Sequence, residues 1–432
     1  MPTARGASRA HRRDRVGGLR ALRLRPALAL LGLAALASCV STNLPPIGKG
    51  SRQFRAERDE QQLWSHGEEL ERGLEKAGRV YDEPSLGRYL NGVAERLLAG
   101  QLAQSGAEAR VRVIKDPLLN AFALPNGTIF LHTGILARME NEAQLATVLG
   151  HELVHFTHRH GVLEMRRARN RIVAAHVTTA LLAALAAGSS GDPQAAASFA
   201  ELGQSVLSLW TAAAITGYSR VLETEADERG LEALLAAGYD PAESTKVFQQ
   251  MKRELDAMGV AEPYFFGSHP RLDERIENYR RLLAKREAPG DHPRKDAEIY
   301  SESVSGVLLE NAKLDLAIGR IETARAALAR HLAGRPESAP GHFLMGELHR
   351  RSGRGEAETA AAVEAYLEAI RLDPDYAEPH RALGMLYRGR QRADAARAEF
   401  TRYLELAPDA VDRPIIEGYR AGPVDVAAPP RP

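Results

Sequence analysis

His151 and His155 lie four residues apart with Glu152 between them, in the run His-Glu-Leu-Val-His. On a helix this spacing sets two imidazoles one turn apart on the same face with a carboxylate beside them, which is a zinc site in outline. The neighbouring sequence supplies the helix. Asn141, followed three residues later by Gln144, predicts an N-cap with a capping box. Ala143, Leu145, Ala146, Val148 and Leu149 make the approach mainly apolar and buried, and Gly161 predicts the stop. The histidines then sit mid-helix, where their geometry is fixed.

Two histidines and a water leave tetrahedral zinc one protein ligand short, so a third must come from nearby or from another helix. His158 follows His155 by three residues, but it belongs to the polar run Thr157-His158-Arg159-His160, which reads as a solvated helix end. The better candidate is Glu223, in Tyr218-Ser219-Arg220-Val221-Leu222-Glu223-Thr224-Glu225-Ala226-Asp227. Glu223 and Asp227 are spaced i,i+4 on a predicted helix, so that one carboxylate can bind metal while the other orients a ligand imidazole from behind. Glu225 and Glu228 read as an exposed acidic face.

These blocks resemble a known family. Y-S-R-x-x-E-x-E-A-D-x-x-G after an H-E-x-x-H helix is similar to the zinc metallopeptidases that include the CAAX prenyl protease, the bacterial membrane heat-shock protease and the periplasmic outer-membrane quality-control proteases. Asn120-Ala121-Phe122-Ala123-Leu124-Pro125-Asn126-Gly127 resembles the family's N-A-F-A-x-P-x-G, Asn141 to Ala146 its N-E-x-E-L-A, and Arg159-His160 a further pair. The similarity runs from about residue 59 to about 280. Val154 departs from it, standing where small residues that permit close helix packing are common. The resemblance implies a mainly α (α+β), gluzincin-like domain with a small β-hairpin or sheet and one zinc ion per chain. It also implies His151, His155 and Glu223 as ligands and Glu152 as the general base that takes a proton from the attacking water. Zinc polarises the scissile carbonyl, and the carboxylate passes the proton to the leaving amine. The implied reaction is peptide-bond hydrolysis without a covalent intermediate.

Ser268-His269-Pro270, followed by Arg275-Ile276, resembles an S-H-P-x-x-x-x-R-I segment of the same family. Three roles are open for His269: a fourth ligand that keeps the site latent, a donor to the developing oxyanion, or a cap on the next helix. The Asn120-Ala121-Phe122-Ala123 segment has its own reading. Ala121 to Leu124 and Thr128 to Leu131 are short apolar runs joined through Pro125-Asn126-Gly127, and Asn-Gly is a hairpin signal. An edge strand beside a cleft can bind an extended peptide as an added strand, which aligns its backbone.

The N-terminus predicts the compartment. Residues 1–38 hold eight arginines and one aspartate, and the apolar stretch from Ala27 to Ala37 is too short to span a bilayer, so the segment reads as a signal peptide. Leu36-Ala37-Ser38-Cys39 resembles a bacterial lipobox, with Cys39, the only cysteine, as the lipid-modified residue. The full chain has 57 basic and 56 acidic residues; without residues 1–38 it has 49 against 55, a net −6 that argues against a nucleic-acid partner. Val40 and Ser41 lack the aspartate that retains such lipoproteins at the inner membrane. The expected place is therefore the periplasmic face of the outer membrane of a Gram-negative bacterium.

Beyond the lipidated tether (39–58) and the metallopeptidase domain (59–285), a linker (286–299) leads into residues 300–410, which repeat. Leu383-Gly384, Tyr387, Ala396, Phe400 and Pro408 fit the tetratricopeptide (TPR) pattern, and so do Gly346, Ala362, Tyr366 and Pro374 one repeat earlier. Ala324, Leu328 and Pro336 suggest a degenerate first unit. Such helix pairs form an α-helical solenoid with a concave docking surface, and residues 411–432 read as a loose tail. Between the motif segments, 172–214 reads as a helical hairpin packed on the protease. The whole predicts a lipid-anchored periplasmic zinc metalloendopeptidase acting on polypeptide substrates, misfolded or stalled envelope proteins. Its TPR surface would meet those clients or the barrel-assembly machinery. The second reading is a TPR-based chaperone or adaptor with a latent protease site.

Overall fold

The strands owe their patterns to their places in the sheet. In the computed structural model, which describes residues 40–48, 54–187, 218–259, 272–286, 293–353 and 355–421, with backbone only over 176–187, four short strands form one sheet. These are β1 (Val80–Tyr81), β2 (Arg110–Ile114), β3 (Ala121–Ala123) and β4 (Thr128–His132), in the order β1-β2-β4-β3. β4 is an inner strand and is buried at all its positions, as its unbroken apolar run Ile129-Phe130-Leu131 suggests. It pairs parallel with β2 and antiparallel with β3, with Ala121 opposite Leu131 and Ala123 opposite Ile129. β3 is thus an edge strand. The Pro-Asn-Gly turn is a three-residue loop rather than a two-residue Asn-Gly turn: Gly127 N–H donates to Leu124 O, and among these residues only Gly127 has a positive φ, 92°. A Cβ at Gly127 would lie 2.1 Å from Glu108 O, so glycine is needed there twice over.

Helices α1 (Arg58–Lys76), α2 (Pro84–Leu98), α3 (Thr133–Arg138), α4 (Glu142–Thr157), α5 (His160–Ala187), α6 (Arg220–Ala236), α7 (Ala242–Met258) and α8 (Leu272–Ala284) surround this sheet. None of the described helices is long and apolar enough to cross a membrane. α4 carries the His-Glu-Leu-Val-His run and is buried along its whole length, polar residues included. Asn141 caps it by accepting from Gln144 N–H. The reciprocal half of the expected capping box is not made as written. The Gln144 side chain accepts from Glu140 N–H and donates to Glu243 on α7, so a tertiary partner has replaced the local one.

The helix stop also differs from expectation. Gly161 lies inside α5, and the break comes at Arg159, held at φ 58° by two hydrogen bonds to buried Glu60 at 2.9 and 2.5 Å. Arg159 and His160 are buried, so the expected solvated end is instead an interior corner. The left-handed arginine is a sparsely populated backbone conformation, and the two-point contact with Glu60 accompanies it here. Residues 40–48, read above as polar tether, lie along this corner: Ile47 N–H donates to Thr157 O, and Val40 exchanges two hydrogen bonds with Asn170 of α5. The first helix of the expected 172–214 hairpin is the C-terminal part of α5; residues 188–217 fall outside the described ones.

Beyond Arg294 come α9 (Ala297–Ser303), α10 (Ser305–Ala317), α11 (Ile321–Gly334), α12 (Ala339–Ser352), α13 (Glu356–Leu372), α14 (Ala377–Gly389), α15 (Ala393–Leu406) and α16 (Arg413–Ala421). The chain is mainly α, a metallopeptidase-like unit followed by TPR helix pairs. Gly346 packs against the Tyr366 ring and Gly384 against Phe400. Ala324, Ala362 and Ala396 are buried at matching places in α11, α13 and α15, so the degenerate first unit is a helix pair like its successors. One apolar core runs from Leu86 on α2 through α4, α7 and α8 to Leu308, Leu328 and Leu348, across the Pro-Gly-rich stretch.

Candidate metal centre

α4 presents His151 and His155 to α6, and the reason they meet a carboxylate there is backbone proximity. Gly150 and Gly230 face each other where the helices cross: a Cβ on Gly230 would stand 3.0 Å from His151 N and 3.1 Å from Gly150 C. The close approach thus lies at Gly150, one turn before Val154, and Val154, the departure from the family's small residues, is simply buried. Gly230 is the final glycine of the Y-S-R segment, seven residues after Glu223, so the crossing fixes that carboxylate on the histidine face.

The donor atoms converge. His151 Nε2 is 2.9 Å from His155 Nε2, and the Glu223 oxygens lie 3.4 and 3.5 Å from them. Ligands about 2.0–2.1 Å from one tetrahedral ion stand roughly 3.3 Å apart, so the set fits a four-coordinate metal with a position left for a non-protein ligand. These three residues are the group able to hold a metal ion among the described residues, and all are buried. His158 is not among them. It caps α4, half-buried, with Nδ1 3.2 Å from Thr157 Oγ1 and Nε2 3.9 Å from Glu225. Glu152 is buried on α4 beside His151.

Asp227 stands behind His151, its Oδ1 2.9 Å from Nδ1. That contact directs the other ring nitrogen, Nε2, at the metal position. Arg275 on α8 holds the same carboxylate at 2.8 Å while lying over the Phe248 ring, and Asn278 donates to Asp227 Oδ2. Burial alone would raise the Asp227 carboxyl, but the Arg275 charge and the His151 bond outweigh it, and the group stays ionised well below the usual range. Arg275 belongs to the S-H-P-x-x-x-x-R-I segment; His269 of that segment lies outside the described residues, as does Cys39.

Two residues of the family-like segments stand beside the donors in places that the sequence did not assign to them. Tyr218 lays its ring on His155, centroids 4.0 Å apart at 15°. Burial pushes its phenol up, and Glu152 and Glu223 push the same way, so it is a protonated donor beside the site. His160 sets Nδ1 2.9 Å from His155 Nδ1; burial and the nearby histidines hold it neutral, down to about 3. Tyr218 opens the Y-S-R segment and His160 closes the Arg159-His160 pair, so both carried a motif signal, but neither carried a sign of its contact with His155. Of the edge strand, Asn120 O accepts from His132 N–H, Ala121 is buried, and Phe122 packs on Phe130. Ala123, Leu124 and Pro125 line a small cleft with His155 and Tyr218, so strand and donor set share one wall.

The family model described as Peptidase family M48 matches residues 84–283, and a TPR repeat model matches 358–389. The chain carries an M48 peptidase domain. All three donors and their supports at Asp227 and Arg275 fall inside it. Relatives of this M48 domain include the mitochondrial metalloendopeptidase OMA1 of Schizosaccharomyces pombe, 30% identical over 50% of this chain and 57% of that protein. Beta-barrel assembly-enhancing proteases of Yersinia pestis (26% identical, 46% of this chain, 39% of that protein) and Escherichia coli K12 (24%, 55% and 46%) also match. The chain spans about half the length of the curated relatives it matches.

Proposed function

We propose that this protein is a zinc-dependent metalloendopeptidase. The observation that carries the reading is the buried His151, His155 and Glu223 triangle with Glu152 beside it on the same helix. When bound, zinc supplies Lewis-acid polarisation of the scissile carbonyl and makes water acidic enough to deprotonate near neutrality. His151, His155 and Glu223 would hold it. Glu152 takes the proton of the attacking water and returns it to the leaving amine. Asp227 keeps His151 oriented, and the edge strand β3, through Asn120, Ala121, Phe122 and Ala123, aligns an extended substrate backbone by strand addition.

The names of the bacterial relatives support a place in outer-membrane protein assembly, with misfolded or stalled envelope proteins as substrates. Clients or the barrel-assembly machinery would dock on the TPR surface. Cys39 would carry a lipid anchor in the outer membrane, and no nucleic acid is involved. Digestion of an unfolded protein with and without a chelator, beside Glu152→Gln, is the test. The variant keeps zinc and loses activity by about 10²- to 10⁴-fold; equal proteolysis by both proteins sinks the enzyme reading, and client rescue by the inactive variant favours the TPR chaperone instead. Membrane fractionation of Cys39→Ala checks the anchor, since the variant should become soluble. For His269, higher activity of His269→Ala indicates a latch, lost turnover with zinc retained indicates an oxyanion donor, and no change leaves it a structural residue.

A further inference from the structure

The corner between α4 and α5 turns a second histidine back upon the first. Arg159, left-handed and fixed by Glu60, redirects the chain so that α5 starts at His160 with its ring facing His155. The two Nδ1 atoms are 2.9 Å apart. His155 Nε2 is engaged on the other side, 2.9 Å from His151 Nε2 and 3.5 Å from Glu223 Oε1. If Nε2 is the donor to a metal, the His155 proton must sit on Nδ1, and His160 Nδ1 must accept it. The His160 proton then sits on Nε2, which lies 3.6 Å from Glu225 Oε2, beyond hydrogen-bond reach.

We propose that His160 is the positioning residue for His155, holding that ring's tautomer and orientation so that Nε2 is presented to the metal. His151 is oriented by Asp227 from α6; His155 is oriented by the helix that follows its own, through a neutral ring in place of a carboxylate. His160 does not itself join the donor set, because its Nδ1 is aimed at the far nitrogen of His155 rather than at the face shared with Glu223. Tyr218 closes the remaining freedom by stacking on the His155 ring.

The inference rests on the metallopeptidase reading, and the experiment separates the two. Full-length protein loaded with zinc is titrated with a competing chelator, and wild type serves first: if it takes up no zinc, the metallopeptidase reading itself falls. Given one zinc per wild-type chain, His160→Ala is expected to bind it about 10- to 100-fold more weakly. His160→Asn, whose Oδ1 can stand near the place of Nδ1 and accept the same bond, recovers most of that loss. Melting of the chelated proteins gives the fold cost of His160→Ala separately, and the zinc-affinity loss is expected over and above it. Unchanged zinc affinity in His160→Ala overturns the assignment, as does an equal loss in His160→Asn.

Discussion

In the M48 domain α4 and α6 touch backbone to backbone, Gly150 against Gly230, whereas in the TPR helices glycine receives a ring, Gly346 under Tyr366 and Gly384 under Phe400. The first contact brings three polar donors from two helices within 4.8 Å of one another and buries them. The second stacks helix pairs and leaves their outer faces to solvent. Cores differ accordingly. One continuous cluster runs from α2 to Leu348 on α12, and beyond it each repeat has only a small cluster, such as Tyr366 with Leu383 or Phe400 with Ile416. The first helical pairs therefore serve the fold of the protease unit, and the last ones are free to serve recognition.

The largest expected effect breaks the chain at two places. Ending it after Asp296 strips Tyr300, Val304, Leu308 and Leu328 from the shared core, and circular dichroism should show loss of cooperative unfolding. Ending it after Asp373 removes only the distal helices, so zinc content and hydrolysis of a short peptide should persist. If both truncations behave alike, the contrast between inner and outer repeats is wrong.

A subtler pair tests the two kinds of glycine contact. Gly230→Ala forces a methyl against the backbone of α4 and should destabilise by roughly 1–3 kcal/mol, with weaker zinc binding because His151 is displaced. Gly384→Ala meets the Phe400 ring at 2.5 Å and should destabilise by a similar amount, yet leave zinc affinity unchanged. Thermal melts with and without chelator read both quantities. Equal zinc affinity in Gly230→Ala and wild type would remove the link between the helix crossing and the site.

The smallest effect is a pH dependence. Burial would raise the Glu243 carboxyl, but hydrogen bonds from Lys246, Asn141, Gln144 and Lys295 pull it down to about 2, below its ordinary 4.5. A carboxylate lowered by folding stabilises the native state above the unfolded value, and that contribution disappears as pH falls from about 4.5 towards 2. Glu243→Gln should be less stable near neutrality and lose less over that acid range, measured by denaturant melts. A parallel pH profile in both proteins would show that this anchor of the α4 N-terminus contributes nothing.

Much was legible because it is local. The i,i+4 spacing of His151 and His155, the Asn141 cap, the Pro-Asn-Gly hairpin and the 34-residue separation of Pro374 and Pro408 all follow from periodicities that a chain carries within a few turns. Glu223 and Asp227 could be chosen from their mutual spacing and the family resemblance, and the structure brings both to the histidines. What the sequence could not decide depends on groups far apart in the chain. Gln144 forgoes its local capping bond for Glu243, the α4 stop is set by Glu60 gripping Arg159, and Thr157, Arg159 and His160 of the polar run are buried where α1 and Ile47 meet it. Periodicity predicts which face of a helix turns inward, but not which neighbour meets it there. That choice belongs to packing and to the satisfaction of buried polar groups, and it made His160 and Tyr218 neighbours of the metal position.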